Sequence, residues 1–214
     1  MATTSGPQRR FQNPAIFVCD IQEKFRNAVF EFDKVVLTTR KLLRAASALS
    51  IPIYVTTQNR ARLGDTVAEL KTPSLLPESL VRVDADKTRF SMWLPSVSSS
   101  LAAQSVSVPA AEIVIVGIEA HICVTQTALD ALAAGHRVYV LADGVSSCNR
   151  EEVPIALARL RQAGAVVTTS ESWIYECMGD AALPEFKGIV SLVKETSGQT
   201  KEALGALLLL GSKI

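Results

Sequence analysis

Three residues that can do acid–base or nucleophilic chemistry follow short apolar runs of the chain. Asp20 follows AIFVC, Lys87 follows the segment ending in VDAD, and Cys123 lies just beyond EIVIVG. In open parallel sheets, ligands bind beyond the carboxyl ends of the strands. If these runs are strands of one such sheet, the carboxylate, the ammonium and the thiol share one edge. The same rule also selects residues 56–64 and Asp143, so it does not decide which of these act.

Cys123 stands where a strand passes into a helix, and this position has two interpretations. A cysteine at a helix N-terminus faces unpaired amides and the positive end of the helix dipole, which favour a nucleophilic thiolate. A buried cysteine is also commonly an inert, small apolar residue. The corresponding alternatives for Asp20 and Lys87 are a turn residue and a solvated charge. Spacing alone leaves these alternatives open.

Several kinds of chemistry are excluded by missing motifs. The chain has no G-x-S-x-G elbow, no Walker loop and no G-x-G-x-x-G sequence. Its two histidines, His121 and His136, are not at metal-ligand spacing, so we predict no metal and no cofactor. A net charge of +1 gives no footprint for nucleic acid or for an acidic membrane surface, and no apolar run is long enough to span a bilayer.

The elements that must position these residues alternate along the chain. Continuous apolar runs, typical of strands covered on both faces, alternate with segments of helical period. A chain of 214 residues with 48% hydrophobic content is predicted to be one three-layer α/β/α sandwich with a mainly parallel central sheet. We predict strands at 15–20, 51–57, 79–86, 111–117, 136–143 and 165–170, and helices over 34–50, from about 124, and over 150–164. Asn149 is predicted to cap the last helix together with Glu152, and Gly164 to end it.

The ends of the chain differ from the middle. Residues 1–13 are predicted to be a flexible segment, residues 14–195 the domain, and residues 196–214 a C-terminal tail. The tail ends in the apolar run ALGALLLLG, which we expect to dock on its own domain or on a second subunit. The four scattered cysteines predict reduced thiols. With no apolar region typical of a signal peptide, a cytoplasmic location is predicted, and leaderless export is left open.

Three motifs, in order, resemble those of the isochorismatase-like hydrolases. AIFVCDIQEKF is similar to the first strand of that family, where the aspartate of a D-x-Q stretch is catalytic. DKTRFSMW resembles its K-x-x-x-S segment, and VIVGIEAHICVTQTALDALAAGHRVYVLADGVSS resembles its cysteine-bearing stretch. The resemblance runs from about residue 14 to about residue 194 and is closest to the isochorismatase domain-containing subgroup. It implies a Rossmann-like topology and a triad of Asp20, Lys87 and Cys123.

The resemblance also implies a cis peptide joining Ile118 to Glu119. Such a bond would aim the amides of Glu119 and Cys123 at one point, as an oxyanion hole. Two departures from family patterns narrow the function. The segment TTQNRARLGD lacks the histidines with which nicotinamidases bind a metal. The isochorismatases of siderophore and phenazine pathways typically lack the cysteine that this chain has.

Three functions remain. The favoured one is hydrolysis of the isochorismate vinyl ether to pyruvate and 2,3-dihydro-2,3-dihydroxybenzoate by an Asp–Lys pair. The second is hydrolysis of a C–N bond through a thioester on Cys123, and the third is a catalytically idle interaction protein. Cations expected at the rim favour an anionic small molecule as the substrate, and a homo-oligomer, dimer or larger, is expected. The predicted substrate-binding residues are Gln22, Gln58, Arg60, Arg62, Arg89 and Trp93.

Overall fold

Six strands form a single sheet in which every neighbouring pair is parallel. A computed structural model describes residues 8–105, 107–108 and 110–208. The strands are β1 Pro14–Cys19, β2 Ile53–Gln58, β3 Val81–Lys87, β4 Glu112–Ile118, β5 Arg137–Ser146 and β6 Val166–Thr168. Their order across the sheet is β3-β2-β1-β4-β5-β6. Because the order reverses direction at β1 and β4, the carboxyl ends of these two strands flank the point where ligands bind in such folds.

Helices cover both faces of the sheet. They are α1 Phe32–Leu49, α2 Arg60–Leu63, α3 Pro95–Gln104, α4 Thr125–Ala133, α5 Glu152–Gln162, α6 Ser170–Met178 and α7 Phe186–Leu208. The core on one face joins the sheet to α1, α6 and α7, and the core on the other joins it to α3, α4 and α5. The side chains of β1 alternate between the two, with Val18 on the first side and Cys19 on the second. The predicted three-layer α/β/α class is therefore confirmed.

One helix cap was predicted incorrectly. Helix α5 begins at Glu152, and its cap residue, Glu151, makes no side-chain capping bond. The carbonyl oxygen of Asn149, rather than its side chain, accepts the N–H of Glu152 at 3.1 Å. Gly164 follows the helix with a positive φ of 102°, in the left-handed region that was predicted for it. Helices α2, α3, α6 and α7 were not predicted.

Both ends of the described chain pack on the body of the protein. Phe11 is buried, with its ring 5.2 Å from that of Tyr139 and 5.9 Å from that of Trp173. Helix α7 runs without a break through residue 195, the predicted end of the domain, and packs against α1. Charged pairs join the two helices between Lys34 and Glu202 at 2.8 Å, and between Arg44 and Glu195 at 2.6 Å. Residues 1–7 and 209–214 of the predicted terminal segments lie outside the described residues.

None of the helices in the described part of the chain combines the length and the apolar character needed to cross a membrane.

Candidate active site

The carboxylate of Asp20 is fixed at both oxygens. Asp20 follows the last residue of β1 in a left-handed conformation with φ 52°, which aspartate tolerates better than most residues. Thr56 is on the neighbouring strand, in register with Cys19, and its hydroxyl donates to Oδ1 of Asp20 at 2.8 Å. Nζ of Lys87 donates to Oδ2 at 2.7 Å. The side chain is buried, with 1% of its surface exposed, so these contacts hold a carboxylate away from bulk water.

Lys87 is the last residue of β3, and its ammonium is surrounded by hydrogen-bond acceptors. Besides Asp20, it donates to Oε1 of Gln58 at 2.8 Å and to the carbonyl oxygens of Phe90 at 2.8 Å and Arg89 at 3.1 Å. Burial alone would lower the pKa of Lys87. The charge of Asp20 and its hydrogen bond to the ammonium oppose this effect, and the pKa of Lys87 is raised above its ordinary value. Lys87 is therefore a fixed positive charge rather than a proton donor at neutral pH.

Cys123 lies in the turn that joins β4 to α4. The peptide between Ile118 and Glu119 is cis, and Ala120–Val124 form a π-helical turn before the helix begins. The hydroxyl of Thr127 donates to the carbonyl oxygen of Cys123 at 2.6 Å and accepts the N–H of Met92 at 2.8 Å. These bonds tie the turn to the segment that follows Lys87. Cys123 is 7% exposed, so a small part of its surface is accessible.

A second thiol, that of Cys19, lies beside Cys123 but has a different character. Cys19 is fully buried, and burial raises its pKa well above the ordinary value. A hydrogen bond to Cys123 and the charge of Asp20 raise the pKa further. Cys19 is therefore held as a neutral thiol without exposed surface, whereas the thiol of Cys123 is partly accessible.

A cavity of about 180 Å³ opens over Asp20 and Cys123. An engineered cavity of about 150 Å³ accommodates benzene, so this one has room for a single ring with a small substituent. Most of its lining is apolar. The lining residues are Asp20, Phe25, Gln58, Leu63, Phe90, Ile118, Glu119, Ile122 and Cys123. The carboxylate of Glu119 accepts the backbone N–H of Cys148 at 2.8 Å.

The two predicted glutamines lie at the site, but both amides are engaged within the protein. Gln58 lines the cavity, while its Oε1 accepts from Lys87 and its Nε2 donates to the carbonyl oxygen of Thr88 at 2.9 Å. Gln22 is completely buried. Its Oε1 accepts the N–H of Gln58 at 2.7 Å, and its Nε2 donates to the carbonyl oxygens of Gln58 at 3.1 Å and Gly64 at 2.7 Å. Neither contact pattern is that of a substrate ligand.

The other predicted substrate-binding residues do not line the cavity. Arg60 is held by the carboxylate of Asp84 at 2.7 Å, because β3 runs beside the helix that carries it. Arg62 and Arg89 are exposed next to the lining residues Leu63 and Phe90.

Trp93 packs on His136 with the ring centroids 5.2 Å apart, in the core between the sheet and α3–α5. Asp143 accepts from the N–H of Ser170 at 2.8 Å and from its hydroxyl at 2.5 Å, as part of the start of α6.

Thr56 is the polar contact that the sequence analysis missed. It donates to Asp20 from the next strand, and only the register of β1 against β2 places it there. The sequence placed Asp20 at the carboxyl end of one predicted strand and Thr56 near the end of the next, and this was the signal that could have indicated the contact. Within the described residues, no three metal-ligating side chains converge on one point.

The fold and the Asp–Lys–Cys arrangement define an isochorismatase-like hydrolase, and comparison with known proteins agrees. The family model for the isochorismatase domain matches residues 14–172, so the chain belongs to the isochorismatase family. The secreted isochorismatase effector Isc1 of Phytophthora sojae is 40% identical over 201 residues, which cover 91% of this chain and 93% of that protein. Isochorismatase domain-containing protein 2 of Bos taurus is 41% identical over 182 residues, covering 85% and 83%.

A solved structure supports the same assignment. The MAR1 ribonuclease of Caenorhabditis elegans superimposes with a TM-score of 0.75 at 39% identity, covering 85% of this chain and 90% of that one.

Proposed function

We propose that this chain hydrolyses a C–N bond of a small, uncharged amide through a thioester on Cys123. The observation that carries the proposal is a reachable thiol beside a buried Asp–Lys pair, in a cavity whose other walls are mostly apolar. A fixed ammonium and a carboxylate next to a cysteine are the groups that activate a thiol nucleophile.

The reaction proceeds by acyl transfer to sulfur and then to water. The carboxylate of Asp20 takes the thiol proton as the sulfur of Cys123 attacks the amide carbonyl. The backbone N–H groups of Glu119 and Cys123 donate hydrogen bonds to the developing oxyanion. The amine leaves with the proton held by Asp20. The same carboxylate then accepts a proton from the water that attacks the thioester, and it returns this proton to the departing sulfur, which releases the acid and the free thiol.

The charges of the cavity favour a neutral substrate. Two buried carboxylates on a ligand would each require a cationic partner. Lys87, which contacts the lining residues Asp20 and Gln58, already donates to both of them and to two carbonyl oxygens. Of the lining residues, Asp20 and Glu119 are acidic and none is an arginine or a lysine. A dianion would therefore lose hydration without gaining an equivalent partner.

Vinyl-ether hydrolysis of isochorismate is the second candidate, and the name of the Phytophthora sojae relative favours it. In this reaction Asp20, oriented by Lys87, protonates the methylene carbon of the enolpyruvyl group, and water adds to the resulting cation. Cys123 forms no bond to the substrate. Arg62 and Arg89, exposed beside the cavity, are the cations that would have to receive the carboxylates.

Cleavage of RNA, the activity named for the Caenorhabditis elegans structure, is not proposed. A polyanion is bound through many lysine and arginine contacts to phosphate, and a net charge of +1 with a mostly apolar cavity does not supply them. The cytoplasmic location and the homo-oligomer stay predictions.

Two parallel assays distinguish the candidates. One measures ammonia released from small uncharged primary amides such as acetamide, benzamide and nicotinamide, and the other measures pyruvate released from isochorismate. The proposal expects ammonia release that Cys123→Ala and Asp20→Ala abolish and that Arg62→Ala and Arg89→Ala leave unchanged. Pyruvate release that survives Cys123→Ala but falls with the arginine variants would replace the proposal with the second candidate.

A further inference from the structure

We infer, on the basis of the proposed function, that Gln58 is a positioning residue for Lys87 and that Gln22 holds Gln58 in place for this purpose. Gln58 lines the cavity and would ordinarily be assigned to substrate binding. Its contacts point instead to the ammonium that orients the catalytic carboxylate.

Both ends of the Gln58 amide are engaged. Oε1 accepts from Nζ of Lys87 at 2.8 Å, and Nε2 donates to the carbonyl oxygen of Thr88 at 2.9 Å. Because an amide has distinct donor and acceptor ends, the Thr88 contact fixes which end faces the ammonium. The side chain is thereby oriented as an acceptor for Lys87.

Gln22 in turn fixes the backbone of Gln58. Its amide pairs with both the N–H and the carbonyl oxygen of Gln58, at 2.7 and 3.1 Å, and a third bond reaches the carbonyl oxygen of Gly64 at 2.7 Å. Gln58 is the last residue of β2, so the side chain of Gln22 supplies hydrogen bonds to the backbone at the carboxyl end of this strand. Since Gln22 is completely buried, water does not compete for these bonds.

The hydrogen bond to Gln58 helps to hold the Lys87 ammonium in the position from which it contacts Asp20. An ammonium has three hydrogens, and the three shortest contacts of Lys87 are to Asp20, Gln58 and the carbonyl oxygen of Phe90, at 2.7, 2.8 and 2.8 Å. Loss of Gln58 leaves one hydrogen with only the longer contact to the carbonyl oxygen of Arg89, at 3.1 Å, on a flexible four-carbon side chain. The ammonium then spends less time in the position that holds Asp20 and stabilises an ionised Cys123.

The reactivity of Cys123 toward iodoacetamide tests this without a known substrate. Peptide mass spectrometry gives the alkylation rate of Cys123 and, in the same sample, of the exposed Cys148 as an internal reference. Although the residue is largely exposed, partial desolvation of its sulfur and a hydrogen bond to Glu119 raise the pKa of Cys148 to about 11, so it reacts slowly at neutral pH. We expect Gln58→Met to slow alkylation of Cys123 about tenfold and to leave Cys148 unchanged. Gln126→Met, at an exposed position on α4, is the matched control and should change neither rate.

A double-mutant cycle separates positioning from a general structural effect. If Gln58 acts through Lys87, Gln58→Met has no further effect on Cys123 in a Lys87→Met background. An unchanged Cys123 rate in Gln58→Met would overturn the inference, and so would independent, additive effects of the two substitutions. Should Lys87→Met fail to fold, the single variant decides the outcome. A different result would contradict the proposed function alone: the alkylation rates of Cys123 change as expected, but no amide releases ammonia.

Discussion

Removal of the Lys87 charge tests the buried ion pair on which the site is built. The side chains of Lys87 and Asp20 are 0% and 1% exposed. Lys87→Met leaves the Asp20 carboxylate buried, with the Thr56 hydroxyl at 2.8 Å and the Cys19 thiol at 3.7 Å as the remaining side-chain donors among the described residues. Breaking a buried ion pair by removing one partner costs about 3–5 kcal/mol. Because whole domains are stable by about 5–15 kcal/mol, we expect a loss of roughly a fifth or more of the total.

Urea unfolding followed by circular dichroism measures this loss. With a urea dependence of about 2 kcal/mol per molar, the transition should move down by roughly 1.5–2.5 M. The matched control is Lys71→Met, which removes the exposed ion pair with Asp65 and should cost less than about 1 kcal/mol. The variant Asp20→Asn/Lys87→Met removes both charges and should be more stable than Lys87→Met alone. A Lys87→Met protein within about 1 kcal/mol of the wild type, or a double variant no more stable than the single one, would refute the reasoning.

Three further predictions concern single positions. At Gly117, φ is +120° and a Cβ would lie 2.0 Å from a backbone oxygen of β1, so Gly117→Ala should destabilise the fold by at least about 3 kcal/mol in the same urea assay. Gly198 lies on α7 with open space around it, so the control Gly198→Ala should stabilise the fold by up to about 1 kcal/mol. Thr56→Val should slow alkylation of Cys123 about tenfold through a less firmly held Asp20, and Thr56→Ser should restore it. Burial raises the pKa of Cys177 to about 12, against about 8.5 in an unfolded chain. The folded chain thus keeps a proton that the unfolded chain loses, so the stability it contributes is present below pH ~8.5 and lost as pH rises toward 12. Between pH 8 and 10.5 the wild type should lose about 2 kcal/mol more stability than Cys177→Ala, and equal losses would contradict this.

The strands could be predicted because their side chains carry the signal locally. Continuous runs such as those of β1 and β4 are buried on both faces, and the sequence shows this directly. The triad of Asp20, Lys87 and Cys123 was predicted from the resemblance to the isochorismatase-like hydrolases, since the rule for carboxyl ends of strands alone did not select these three residues. Helix α3 was missed because its sequence, PSVSSSLAAQ, buries only Val97 and Leu101 and has little apolar periodicity.

The contacts of polar side chains could not be predicted, because they depend on partners that are distant in sequence. Arg60 was expected to face the substrate, yet the strand β3 brings Asp84 within 2.7 Å of its guanidinium. Gln22 was expected to bind substrate, and the register of β2 instead places the Gln58 peptide group against its amide. The local sequence does not indicate which distant residue a polar side chain will contact.

Acylation of Cys123 is the most direct test of the central claim that this cysteine is a nucleophile activated by Asp20 and Lys87. The protein is mixed with p-nitrophenyl acetate, a small uncharged acyl donor, quenched in acid within the first turnover, and mapped by peptide mass spectrometry. We predict an acetyl group on Cys123 that is absent from Cys148 and strongly reduced in Asp20→Asn. A Cys123 peptide that stays unmodified while p-nitrophenol is released, or acetylation of Cys123 no faster than that of Cys148, would contradict the account.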